Sequence, residues 1–407
     1  MAGYANRIVN STMDSTQELE KSYHFDLYRR LPVTLVKGKG IYVWDAQGDK
    51  YIDFLSGIAV NALGHSHPAV VRAIRKQSQK LIHTSNIYYT VPQARLAKLL
   101  CGLSGYERAF FCNSGLEANE AAIKLARKIG NQKGKKGPIV SFSGAFHGRS
   151  IASITMGSEK LRKGFDPLPD GFLQLPYNDI QSIEKNLNKD TTAVFVEAVQ
   201  GEGGVIPADK EFIVTLRQLC DTHDILLIFD EIQTGFGRTG HLFGYMNFGI
   251  KPDIITVAKA LGGGFPIGAV LTSNEISQGF TYGDHGTTFG GNPLACSVAE
   301  SVVSTIINKE LIENARQQGL YLKSKLERVS KKLPLVKEIR GMGLMVGVEL
   351  KIPCRPIILK MLERGFLVNC TAENVIRLLP PLIVRKRDID SLVKNFYRVL
   401  SSEKTKS

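Results

Sequence analysis

Short apolar runs separated by longer amphipathic stretches recur along most of this chain. Residues 109–112, 139–142, 193–196, 225–229 and 254–257 are runs of four or five, rich in branched and aromatic side chains, as in strands buried on both faces. Between them, residues 115–130 (GLEANEAAIKLARKIG) and 210–224 (KEFIVTLRQLCDTHD) space their apolar positions three and four apart, which predicts helices. Strand and helix in repetition predict an α/β fold with a doubly wound, parallel or mostly parallel sheet. Residues 35–54 (LVKGKGIYVWDAQGDKYIDF) instead alternate apolar and polar around KGKG and AQGD, the pattern of hairpin strands. Residues 67–82 read as a helix with Pro68 near its start, and a single long helical pattern runs from 293 to 333. Residues 336–350 and 374–384 read as strands of a smaller C-terminal lobe. Residues 1–22 are polar and aperiodic, a partly ordered tail expected to pack on a partner subunit.

Composition narrows the classes. A chain of 407 residues with 43% hydrophobic content suits two lobes on a shared core. It has no apolar run of membrane-spanning length, and its first twenty residues have neither a signal-peptide h-region nor the basic pattern of a mitochondrial presequence. A cytoplasmic protein is expected. The formal charge of +14 comes from dispersed bases with no nucleic-acid-binding signature, so it predicts a solvated basic surface that draws in dianionic substrates rather than nucleic acid. The six cysteines are scattered without CxxC or a histidine at ligand spacing; reduced thiols and no metal are expected.

Candidate chemistry gathers where apolar runs end. The run at 225–229 stops at Asp230 and Glu231, and the run at 254–257 is followed by Lys259 and a turn through Gly262, Gly263 and Gly264. Ligands of open α/β sheets bind outside the carboxyl ends of strands, so Asp230 and Lys259 can face one pocket. A Schiff-base lysine and an acid that keeps a pyridinium protonated are what pyridoxal phosphate requires; a salt bridge at the sheet rim is the plainer alternative. A strand running through Asn113 into a helix at Ser114, Gly115 and Leu116 makes an anion site, because the first N–H groups of a helix lack partners. Phe146 suits either core packing or a ring stack. Glu197 and Glu202 fall on the same crevice edge, and Thr287 and Thr288 place hydroxyls beside a glycine turn.

DEIQTGFGRTG with AKALGGG resembles the class III (omega-amino acid) aminotransferases of pyridoxal-phosphate fold type I. SGIAVNALGHSHP, NSGLEANEAAIKLAR, GAFHGRS, EAVQGEGG and HGTTFGGNPLAC bring it closest to the acetylornithine aminotransferases, over about Tyr42 to Ile383. The resemblance implies a large cofactor-binding domain at 71–300 with a seven-stranded sheet, and a small α+β domain built from 1–70 and 301–407. It implies pyridoxal 5'-phosphate on Lys259, with Asp230 at the ring nitrogen, Gln233 at the 3-oxygen, Phe146 on the ring face, and Ser114, Gly115 and Leu116 at the phosphate. Leu116 stands where threonine is commoner, which removes one hydroxyl and leaves the backbone donors. Thr288 is implied to reach the phosphate, and Thr287 the substrate, of a neighbouring subunit, making a homodimer with its site at the interface. Arg149 is implied to take a remote carboxylate and Arg377 an adjacent one, masked by Glu202 when idle. Ile58, where ornithine aminotransferases carry tyrosine, fits an acylated amine. The expected reaction is transamination between N-acetylornithine and 2-oxoglutarate. Relatives acting on ornithine, succinylornithine, acetyl-lysine, succinyldiaminopimelate or 4-aminobutyrate, a glutamate-semialdehyde aminomutase, and a non-catalytic binding or regulatory protein are the alternatives.

Overall fold

Seven strands form the central sheet of the computed structural model, which describes residues 15–403. The expected tail falls, up to residue 14, outside the described residues. In chain order the strands are β1 (Arg108–Cys112), β2 (Ile139–Phe142), β3 (Phe172–Leu175), β4 (Ala193–Glu197), β5 (Leu226–Asp230), β6 (Ile254–Val257) and β7 (Gly268–Thr272). Their spatial order is β1-β7-β6-β5-β4-β2-β3. Only β7 runs against its neighbours. Its link from β6 holds one short 3-10 turn, Lys259–Leu261, too little chain for the crossover a parallel neighbour needs. Every residue of β2, β4, β5, β6 and β7 is buried, as their unbroken apolar runs require.

Helix α1 (Gly115–Gln132) packs on this sheet through Ala118, Ala121, Ala122, Ile123, Leu125, Ala126 and Ile129. Four alanines on that face let the helix axis approach the strands closely. Ser114 caps it, its hydroxyl accepting from Glu117 N at 3.2 Å.

The two ends of the chain meet in a second region. Leu35–Lys39, Tyr42–Asp45 and Lys50–Asp53 form an antiparallel ribbon, and its last strand pairs in parallel with Phe366–Leu367, Ile52 opposite Phe366. A further sheet runs Val336–Met342, Met345–Leu350, Val375–Leu378, Asn369–Thr371. Arg238 ties this region to the loop after β5. Its buried guanidinium donates to the carbonyls of Leu344 (3.1 Å) and Pro380 (2.5 Å), and burial draws its pKa down to about 9. No helix among the described residues is long and apolar enough to cross a membrane.

Two expectations need correction. The long helical pattern from 293 is two helices, Pro293–Asn308 and Leu311–Ser330, broken where Glu310 takes φ 51°. Cys354 and Cys370 form a disulfide with Cα atoms 5.8 Å apart, so the expectation of six reduced thiols fails for this pair. A separation of 16 carries no pairing signal. The fold supplies it by setting the N-cap of Arg355–Glu363 against the strand Asn369–Thr371.

Candidate active site

A cavity of about 440 Å³ opens beyond the carboxyl ends of β4, β5 and β6. Asp230 ends β5, in register with Glu197 of β4 and Thr256 of β6. Its carboxylate is immobilised on three sides. Oδ2 accepts from Asn119 Nδ2 at 2.8 Å and stands 2.8 Å from His147 Nδ1, while Oδ1 accepts from Ile232 N at 3.0 Å. Asn119 is itself fixed by Thr256, whose hydroxyl donates to Asn119 Oδ1 at 2.6 Å. Burial alone favours neutral His147, but the hydrogen bond and charge of Asp230 outweigh it and raise the imidazole pKa. Glu231 turns away from the cavity to Thr234 Oγ1, Gly244 N and Tyr245 N, at 2.5, 2.8 and 2.7 Å.

Lys259 opens the 3-10 turn after β6 with φ 42°, a backbone conformation costly for a side chain with a Cβ. Its amine lines the cavity with Asp230. Burial first, and then the nearby charge of Arg377, lower its pKa, which favours the neutral, nucleophilic amine. At the start of α1, Ala118 N and Glu117 N are taken by Ser114 O and Oγ. The N–H groups of Gly115 and Leu116 have no protein acceptor among the described residues, and both residues line the cavity. Phe146, Arg149, Glu202 and Gln233 line it as well, with the Arg149 guanidinium carbon 5.7 Å from the Phe146 ring centre.

Arg377 lies behind this wall, 1% exposed. Nη1 donates to Glu202 Oε1 at 2.5 Å, Gly201 O at 3.1 Å and Gln233 Oε1 at 3.4 Å, and Nε donates to Asn369 Oδ1 at 3.2 Å. A carboxylate reaches it only if Glu202 swings aside. Thr287 and Thr288 are not part of the cavity wall: Thr287 Oγ1 accepts from Asn113 Nδ2 at 3.1 Å and Thr288 is exposed.

Ile58 packs on Ala59, Val199, Val205, Val375 and Leu379, and Val60 takes the place on the cavity wall. Ser56, Gly57, Ile58 and Ala59 form a left-handed turn with φ between 48° and 64°. Asp53 Oδ1 holds it from below by accepting from Leu55 N and Ser56 N, each at 2.8 Å. Ser56 Oγ donates to Leu379 O at 2.6 Å.

Sequence reasoning passed over Asn119 and Val60. Asn119 had a signal, an amide on the apolar face of an amphipathic helix, where burial demands partners. Val60 had none, because the left-handed turn that aims it leaves no periodicity.

The side chains fit a phosphorylated pyridine. An immobilised carboxylate and a buried amine share one cavity with unpaired helix N–H groups, and the buried Nε2 of His147 lacks a partner. Fold and site together are those of a pyridoxal-phosphate enzyme of fold type I.

The chain belongs to the class-III aminotransferases, whose family model (Aminotransferase class-III) matches residues 26–400. It is 53% identical over 392 residues to an acetylornithine aminotransferase of Methanocaldococcus jannaschii, covering 95% of this chain and 98% of the relative. An acetylornithine aminotransferase of Methanothermobacter thermautotrophicus is 46% identical, over 96% of this chain and all of the relative. Among solved structures, the ornithine aminotransferase of Toxoplasma gondii ME49 superposes with a TM-score of 0.94 at 31% identity, covering 98% and 97% of the two chains. The acetylornithine aminotransferase of Elizabethkingia anophelis gives 0.86 at 35% identity, covering 96% and 99%.

Proposed function

We propose that this enzyme moves the terminal amino group of N2-acetyl-L-ornithine to 2-oxoglutarate, giving N-acetyl-L-glutamate 5-semialdehyde and L-glutamate, a step of arginine biosynthesis. The observation that carries the reading is the pair of unequal arginines. Arg149 is open to the cavity, whereas Arg377 is covered by Glu202. An amino donor whose carboxylate is remote from the reacting amine needs only the open arginine. A 2-oxo acid, with its carboxylate adjacent, needs the covered one. One pocket thus serves two carboxylate positions in turn. The names carried by relatives at 46–53% identity support the same donor.

When bound, pyridoxal phosphate supplies an aldehyde that takes up the amino group and a protonated ring that accepts electrons from the substrate carbon. In this reading Lys259 would hold the cofactor's aldehyde, and its buried amine would serve as the group that moves the proton during transfer. Asp230 keeps the ring nitrogen protonated, with Asn119 and His147 fixing its carboxylate. Gln233 meets the 3-oxygen, Phe146 covers a ring face, and Ser114, Gly115 and Leu116 hold the phosphate. Thr288 and Thr287 complete the site of a second copy of the chain, so the working unit is a homodimer.

The test is a panel of amino donors assayed with 2-oxoglutarate: acetylornithine, ornithine, succinylornithine, acetyl-lysine, succinyldiaminopimelate and 4-aminobutyrate. The highest kcat/KM is expected for acetylornithine. Free ornithine exceeding it would overturn the choice of donor, and a colourless protein that takes up no cofactor would overturn the enzyme itself.

A further inference from the structure

Three carboxyl groups crowd the ends of β4 and β5, and their surroundings differ. Asp230 is met by Asn119, His147 and Ile232 N, and Glu231 by Thr234, Gly244 N and Tyr245 N. Each is met by three partners, and at Glu231 those donors work against the burial that pushes its carboxyl up. Glu197 receives a single hydrogen bond, from Phe146 N to Oε2 at 3.2 Å, and forms no ion pair among the described residues. It is nevertheless buried and lines the cavity.

Strand register sharpens the contrast. Glu197 and Asp230 are direct partners across the parallel pair β4–β5, so their side chains leave the same face of adjacent strands, about 4.8 Å apart at the backbone. Two buried anions at that spacing repel, and of the two cationic groups facing Glu197, His147 is hydrogen-bonded to Asp230 and Lys259 is pushed by burial toward its neutral amine.

We propose that Glu197 is a positioning residue held as the neutral carboxylic acid, which leaves Asp230 as the only anion at the ring-nitrogen end of the cavity and turns an O–H donor toward the bound cofactor. The proposal rests on the cavity as a pyridoxal-phosphate site and is independent of which amino donor is used.

Burial pushes the Glu197 carboxyl up to about 8. The groups facing it are His147 from the loop after β2, Asp230 from β5 and Lys259 from the turn after β6. His147 and Lys259 draw the value down and Asp230 raises it. Tyr177 donates its hydroxyl to the Glu197 carbonyl at 2.7 Å, and Glu202 and Arg149 share the same cavity. The folded protein therefore binds a proton that the unfolded chain has released above about 4.5. Stability from this group is complete below that value and is lost as pH rises toward about 8.

The experiment compares the cofactor-loaded wild-type protein with Glu197→Gln. Difference infrared spectra of the wild type, taken across about pH 8, should lose the carbonyl stretch of a protonated carboxylic acid with a midpoint near that pH. Glu197→Gln should lack the band. Its melting temperature, relative to wild type, should climb between about pH 4.5 and about pH 8 and level off above that. A band that persists in Glu197→Gln, no such band in the wild type, or a melting difference that is flat with pH would overturn the proposal. The wild-type spectrum needs no variant, so poor folding of Glu197→Gln would not protect the idea. Yellow colour and amino-group transfer surviving such a result would leave the cofactor site standing without it.

Discussion

Lys259 and Glu202 line one cavity, and each makes a separable demand on it. Lys259→Ala removes the amine while leaving the Asp230 carboxylate with its three partners. Turnover is expected to vanish while pyridoxal phosphate still binds without its covalent link, as read from single-turnover spectra and cofactor retention on gel filtration. Retained transamination would remove Lys259 from the mechanism. Glu202→Ala instead uncovers Arg377. The ratio of kcat/KM for glutamate to that for acetylornithine should rise roughly tenfold, the effect of about 1.4 kcal/mol in relative binding. Some loss of stability is expected alongside, because the Arg377 side chain left behind is 1% exposed and keeps only the neutral partners Gly201 O, Gln233 and Asn369.

Among elements, legibility followed burial. β2, β4, β5 and β6 were readable as strands because both faces are covered, and Asp230 and Lys259 because charges stand where such runs end. The antiparallel sense of β7 is set by the length of the link before it, and the break between Asn308 and Leu311 by a left-handed glutamate; periodicity registers neither. Lys309 and Glu310 offer no glycine or proline to mark that break. Glu310→Gly relieves the positive φ at an exposed site and should stabilise the fold by about 0.5–1 kcal/mol, seen as a higher urea midpoint at unchanged slope. The disulfide was equally silent, since a sequence separation of 16 says nothing about where a helix cap will meet a strand. Protein unfolded without reductant should titrate four thiols, Cys101, Cys112, Cys220 and Cys296, and six after reduction. Six in both would refute the bridge. Replacing the pair by serine should cost about 3 kcal/mol, the entropy of a loop of that size.

On the scale of the whole molecule, an apolar patch surrounds the segment bearing Thr287 and Thr288. Ile87, Tyr88, Tyr89 and Phe289 stand exposed, and Asn86 Nδ2 joins the two stretches by donating to Thr287 O at 3.3 Å and Gly290 O at 2.9 Å. A face of that kind suits a second copy of the chain. Sedimentation velocity should find a dimer, and Tyr89→Glu should shift it toward monomer and weaken cofactor retention in parallel. Dissociation without any effect on the cofactor would separate the interface from the site.

The ribbon at residues 35–53 completes its edge with Phe366–Leu367, which the ribosome delivers roughly 300 residues later. At about 5–20 residues per second that interval is tens of seconds, during which the outer side of the Lys50–Asp53 strand has no native neighbour. Pairing over such a distance also makes for slow folding. Misassembly in an overproducing cell should therefore begin at this margin, and slower translation, or a holdase that covers it, should raise the yield of soluble enzyme.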